Sequence, residues 1–227
     1  MTGPHWGRML RGAVCCLFLA ACESSQEKPI QYIYLAFGAS DATGVGAVPL
    51  TDGYVYLIAR ELDRQMHGVF LVNLGVPGAR IDLIKDQASV AKALGTKADA
   101  VTLWTGANDL VNGDDPKSFQ EQLRGLLRMV MQDLSRTLVV VNLPDLTMLS
   151  RFRTSPSPSV TPARIEAFNR AIAEETRSAG AALVDLHESP IRDELVFDVD
   201  GFHPTTAGHQ EIANQLSHML LRPVDRR

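Results

Sequence analysis

Short apolar runs alternate with longer stretches of helical spacing along most of this chain. Residues 32–37 (YIYLAF), 69–74 (VFLVNL), 100–104 (AVTLW), 138–143 (LVVVNL) and 181–186 (AALVDL) are nearly continuous aliphatic or β-branched segments. Unbroken apolar runs of five or six residues predict strands buried on both faces, as in a parallel sheet covered by helices. Between them the apolar positions recur at intervals of three and four. Leu50, Tyr54, Leu57, Ile58 and Leu62 share one predicted helical face. Phe119, Leu123, Leu126, Leu127, Val130 and Leu134 form a second, and Ile165, Phe168 and Ile172 a third. Asp115-Pro116 and Thr161-Pro162 each place a capping side chain before a proline suited to the first helical turn. Gly180 is positioned to end the third helix, and a last helix is expected from about Thr205, carrying Ile212, Leu216, Met219 and Leu220. Five β-α units in series predict a doubly wound α/β domain, three layers deep (α/β/α), around a five-stranded, mostly parallel sheet. Residues 150–160 (SRFRTSPSPSV) interleave serine with proline and predict a solvated loop without a regular element.

The first 29 residues stand apart from this pattern. Arg8 and Arg11 precede an apolar stretch at 12–21 (GAVCCLFLAA), which is too short to span a bilayer but suits the core of a signal peptide. It ends in Leu19-Ala20-Ala21-Cys22, which resembles a bacterial lipobox. That resemblance implies cleavage after residue 21, lipidation of Cys22, and residues 22–29 as a polar tether to a domain spanning 30–227. Cys15 and Cys16 would leave with the peptide, so the mature domain has no disulfide and its core must stand alone. The expected location is the bacterial cell envelope, with a lipid anchor in the membrane and the domain on the extracytoplasmic side.

Composition narrows the function classes. With 227 residues, 45% hydrophobic and 21% charged, the chain is long enough for one sizeable core. A formal net charge of −4 and the lack of a basic run argue against a nucleic-acid partner held through phosphates.

In open parallel sheets, ligands bind beyond the carboxyl ends of the strands. The residues that follow the predicted strands are therefore where chemistry is expected. They are Gly38-Ala39-Ser40-Asp41-Ala42-Thr43-Gly44, then Asn73-Leu74-Gly75-Val76-Pro77-Gly78, then Gly106-Ala107-Asn108-Asp109; Asp200-Gly201-Phe202-His203-Pro204 precedes the last helix. Each segment has a plain structural use: Gly44 and Gly78 as turn glycines, Asn108 as a turn cap, Asp41 as a turn residue, His203-Pro204 as a helix entry. A serine hydroxyl, however, becomes a nucleophile only when an adjacent base takes its proton, and imidazole does this near neutral pH if an acceptor fixes its tautomer. Asp200, three residues before His203, can supply that acceptor if Gly201 permits a tight turn. Asp198, Asp200 and His203 lack further ligands at metal spacing, and neither metal nor cofactor is expected. His187, His209 and His218 have no acid three residues before them and are expected to be structural or surface residues. The Gly-x-Ser-x-Gly elbow is absent.

Taken in order, the four segments resemble the conserved blocks of the SGNH (GDSL-type) hydrolases, from about Tyr32 to Leu220. The resemblance implies a flavodoxin-like sheet and a catalytic trio of Ser40, Asp200 and His203. It also implies an oxyanion hole made by the backbone N–H groups of Ser40 and Gly78 and the side-chain amide of Asn108. Such donors are each worth about 3–4 kcal/mol of transition-state stabilisation. Where the family commonly carries Gly-Asp-Ser, this chain has Ala39 before the nucleophile. The implied activity is hydrolysis of carboxylic esters (lipid, lysophospholipid, thioester or acetylated-carbohydrate substrates) through an acyl-enzyme on Ser40. Two alternatives remain: an acyltransferase on the same fold, and a non-catalytic envelope-binding lipoprotein.

Overall fold

A computed structural model describes residues 30–221. Five parallel strands form one sheet in the order β2-β1-β3-β4-β5. They are β1 (Tyr32–Phe37), β2 (Val69–Asn73), β3 (Ala100–Trp104), β4 (Leu138–Val141) and β5 (Ala182–Val184). The helices are α1 (Tyr54–Met66), α2 (Ile81–Ala93), α3 (Ala107–Asn112), α4 (Pro116–Met129), α5 (Ser150–Thr154), α6 (Pro162–Ala179) and α7 (Thr206–Leu220). Alternate side chains of the central strands enter two separate cores. Leu35, Phe37, Val101, Leu103, Leu138 and Val140 pack beneath α2, α4 and α6. Tyr34, Ala36, Ala100, Val139 and Val141 pack beneath α1 and α7. This is the predicted three-layer arrangement, and the unbroken apolar runs are explained by burial on both faces.

The capping signals act as expected. The Asp115 side chain accepts from the Ser118 N–H at 2.9 Å and Thr161 from the Arg164 N–H at 3.3 Å, with Pro116 and Pro162 opening their helices. Gly180 ends α6 in the left-handed conformation at φ 71°. The stripe begun in α4 continues through a wider π-helical turn at Val130–Leu134, which keeps Val130 and Leu134 buried. Phe119 of α4 and Phe168 of α6 meet with ring centroids 4.7 Å apart.

The structure departs from the sequence reading in four places. β2, β4 and β5 stop one or two residues short of the ends of their apolar runs, because the chain turns away at the site edge. Leu50 is not on the buried face of α1; it lies in a single 3-10 turn and is 57% exposed. Helix α2 was not signalled, since its N-cap residue Arg80 supplies no side-chain cap. The stretch 150–160 is not wholly irregular: Ser150–Thr154 form a helical turn whose Phe152 is buried against Phe202.

Candidate active site

The order β2-β1-β3 means that the crossovers leaving β1 and β2 run in opposite senses, so the loops after β1 and β3 diverge and open a crevice. Ser40, three residues past the end of β1, lies in that crevice and is 9% exposed. Its carbonyl accepts from the Thr43 hydroxyl at 2.7 Å and from the Val45 N–H at 3.0 Å, which folds 40–45 into a tight loop. Asn73, at the end of β2, braces that loop from outside by donating its side-chain amide to the Ala42 carbonyl at 2.8 Å.

His203 and Asp200 arrive from the other side, on the loop before α7. The His203 Nε2 lies 2.7 Å from Ser40 Oγ, and its Nδ1 lies 2.6 Å from Asp200 Oδ2. The other Asp200 oxygen, Oδ1, accepts the backbone N–H of Phe202 at 2.8 Å and of His203 at 3.0 Å. Burial disfavours the Asp200 carboxylate, but the His203 side chain and these two N–H groups more than compensate, leaving its pKa below the ordinary value. An ionised Asp200 accepts from Nδ1–H, and that tautomer leaves the Nε2 lone pair facing the serine hydroxyl. The turn is possible because Gly201 adopts φ +61°. Its carbonyl accepts the Arg151 N–H at 3.1 Å, so α5 buttresses the acid–base loop.

The loop after β2 is a tight turn in which the Ala79 N–H donates to the Val76 carbonyl at 2.9 Å, with Pro77 and Gly78 at its corners. Gly78 has φ +79°, which a turn of this Pro-Gly type requires. Gly78 itself stands at the exposed tip, while its neighbour Ala79 lines the crevice. Asn108 also lines the crevice and donates one amide hydrogen to the Ala79 carbonyl at 2.9 Å, which leaves its second hydrogen uncommitted. The crevice holds about 140 Å³, and its walls include Leu146, Leu149, Ile191, Val196 and Phe202.

Two polar residues have roles that sequence reasoning missed. His209, expected to be structural or surface, is structural and fully buried on α7, with partners the sequence did not indicate: its Nδ1 accepts the Tyr54 N–H at 3.3 Å and its Nε2 reaches the Val45 carbonyl at 3.0 Å. It thus ties the nucleophile loop and the start of α1 to the helix behind His203. Burial first, and then the charge of His203, lower its pKa despite the bond to Val45, so the neutral ring is favoured. Asp41, read as a turn residue, lies in that turn and also lines the crevice. Burial pushes its carboxyl up to about 6, against partial relief from nearby backbone N–H groups and the charge of His203. Spacing from His203 was the available signal for His209, six residues along the same helix-entry segment. His187 is exposed, and among the described residues no group of three or more His, Cys, Asp or Glu side chains is placed to hold a metal. Cys22 lies outside the described residues.

A serine, a histidine and an aspartate hydrogen-bonded in series, at the carboxyl edge of a parallel sheet, are the arrangement that serine hydrolases use, here on a three-layer α/β scaffold. The chain belongs to the GDSL-like lipase/acylhydrolase family, whose model matches residues 36–211. It is 27% identical over 205 residues to a GDSL-like esterase of Mycobacterium tuberculosis, covering 87% of this chain and 64% of that protein. The chain therefore spans just under two thirds of that curated relative. A lipase/acylhydrolase of Enterococcus faecalis shares the fold with a TM-score of 0.68 at 19% identity, over 82% of this chain and 94% of that one. A catalytic mutant of an acetylxylan esterase from Geobacillus stearothermophilus gives a TM-score of 0.64 at 17% identity, over 86% and 96%.

Proposed function

We propose that this chain hydrolyses carboxylic esters with short to medium apolar acyl groups, through an acyl-enzyme on Ser40. The observation that carries the reading is the unbroken path from Asp200 through His203 to Ser40 at 2.6 and 2.7 Å, opening into an apolar crevice. Ser40 Oγ attacks the ester carbonyl carbon as its proton passes to His203 Nε2. The resulting imidazolium keeps its Nδ1–H on Asp200, whose ionised form offsets the new charge. The oxyanion accepts from the N–H groups of Ser40 and Gly78 and from the free amide hydrogen of Asn108. Collapse expels the alcohol with the proton from Nε2. Water then attacks the acyl carbon as its proton passes to His203 Nε2, and collapse breaks the bond to Ser40 Oγ, which takes that proton back as the acid leaves.

Crevice volume bears on the acyl group. An apolar cavity of about 150 Å³ accommodates one benzene, so a comparable space suits an acyl chain of about four to eight carbons. Full-length phospholipid chains would extend well beyond it.

The lipobox-like segment bears on where the reaction occurs. Residue 30 enters the fold at the amino end of β1, the opposite edge of the sheet from Ser40. If Cys22 is lipidated, the eight residues to Pro29 span at most about 28 Å. Half the circumference of a domain this size is about 65 Å, from a radius of gyration near 16 Å. The crevice would then face away from the anchoring bilayer, which favours soluble or envelope-borne esters over lipids of that bilayer.

Chromogenic esters of graded chain length test the reading. Turnover should peak between about four and eight carbons and vanish in Ser40→Ala. Ester cleavage that survives Ser40→Ala would overturn it.

A further inference from the structure

Beside Asn108 sits a carboxylate that the proposed reaction does not use. Asp109 is fully buried in the first turn of α3. Its Oδ1 accepts the Ile81 N–H at 3.0 Å, while Oδ2 is buried without a hydrogen-bond partner. Burying a carboxylate this way is costly, and burial indeed pushes the Asp109 carboxyl up to about 6 against the pull of the Ile81 and Asp109 N–H groups and of Arg80, with Asp114 adding to the rise. An apolar residue would fill the space at lower cost, so the bond that Asp109 makes is the thing to explain.

That bond falls on the peptide leading into α2, directly after the Gly78 turn. Asn108 holds the Ala79 carbonyl at 2.9 Å, and Asp109 holds the Ile81 N–H. On the other side of the turn, the Val76 N–H donates to the Gly38 carbonyl at 3.2 Å, two residues before Ser40. The turn carrying Gly78 is thereby pinned at one end to the nucleophile strand and at the other to two consecutive side chains of α3. Arg80, between the two pinned residues, faces outward and pairs with Asp114 at 3.1 Å.

We infer that Asp109 is a positioning residue for the oxyanion hole: by gripping the Ile81 N–H it sets the Gly78 turn at the distance from Ser40 and Asn108 that the developing oxyanion needs. Asp109 touches no reacting atom. It acts through the turn, and it completes a clamp of which Asn108 is the other jaw. The inference rests on the proposed hydrolase reading. It goes beyond it by assigning a role to a residue outside the catalytic trio and the three donors.

Displacing a donor by an ångström has a predictable kinetic signature. The oxyanion exists only in the tetrahedral state, so a slack turn lowers kcat and leaves KM nearly unchanged. Asp109→Ala should lower kcat about 10- to 100-fold with KM within threefold, whereas Asp109→Asn, which keeps an oxygen for the Ile81 N–H, should stay within about fivefold of the parent. A residue needed only for packing would show neither the split nor the rescue. Should Asp109→Ala not fold, Ile81→Pro removes the same hydrogen bond from the donor side. Proline suits the first position of α2, and Arg80 already has the extended backbone (φ −104°, ψ 175°) that proline demands of its predecessor. Ile81→Pro should then show the same loss in kcat at similar KM. Parent-like kcat in Asp109→Ala or Ile81→Pro, or an Asp109→Asn as poor as the alanine variant, overturns the inference. Ser40→Ala measured alongside keeps the two ideas apart, since its activity speaks to the hydrolase reading alone.

Discussion

Gly201→Ala probes how tightly the acid–base loop is built. A Cβ added at Gly201 would lie 2.5 Å from Ser150 Oγ and 2.7 Å from the Arg151 backbone nitrogen. The serine hydroxyl can rotate aside, but the Arg151 nitrogen belongs to α5 and cannot move without it. Holding alanine at φ +61° costs about 1–2 kcal/mol, and the forced contact adds about 1–3 kcal/mol of overpacking. A total of about 2–5 kcal/mol lowers Tm by about 5–15 °C in a domain of this length. Gly95→Ala is the matched control, because Gly95 has φ +70° with nothing within 4 Å of the added Cβ. It should show the conformational cost alone, about 1–2 kcal/mol, with turnover unchanged. The strain at Gly201 falls between Asp200 and His203, so kcat should drop at least about tenfold as the 2.7 Å contact to Ser40 loosens. Thermal melts and steady-state kinetics on the two variants decide the matter. Equal Tm losses together with parent-like kcat in Gly201→Ala would refute the claim that α5 and this turn set the position of His203.

Other consequences are direct. Ser40→Ala and His203→Ala should each remove nearly all turnover, and the double variant should be little worse, because the pair acts as one unit. Asp200→Asn should be severe in single-turnover assays while circular dichroism stays native, since the amide favours the wrong imidazole tautomer. The pH dependence of stability should carry the mark of Asp41. Its folded value of about 6 lies above the ordinary value of 3.8, so the folded state holds the proton more tightly, and stability falls as pH rises from about 4 through 6. Asp41→Asn should therefore gain at most about 3 kcal/mol above pH 7 and little at pH 4; denaturant melts showing an equal gain at both would contradict this. Leu149→Trp should shift the preferred acyl chain to shorter lengths on an ester panel, because Leu149 lines the crevice and is 4% exposed.

Much of this architecture is legible in local sequence because local physics decides it. The run YIYLAF is a strand at the expected bounds, since its residues alternate between two dry cores and leave no polar position to blur the edge. The capped starts of α4 and α6 are equally local, each resting on a side chain three residues from its donor. Asp200 and His203 are readable because acid and base share one turn. What escapes is long-range. The start of α2 is satisfied by Asp109, 28 residues further on, so no nearby capping residue announces it. His209 gains its purpose from Tyr54 and Val45, 155 and 164 residues away. The helical turn of α5 inside a Ser-Pro stretch depends on Phe152 finding Phe202 and on the Gly201 carbonyl meeting the Arg151 N–H, neither of which the stretch itself encodes.

The central claim is that Ser40 carries the acyl group. Incubation with a slowly turning over ester at low pH, quenched in acid and followed by peptide mass spectrometry, tests it directly. The account predicts the acyl mass on the peptide containing Ser40, absent in Ser40→Ala and long-lived in a variant that cannot activate water. An acyl adduct on another residue, or full ester turnover in Ser40→Ala, would contradict it.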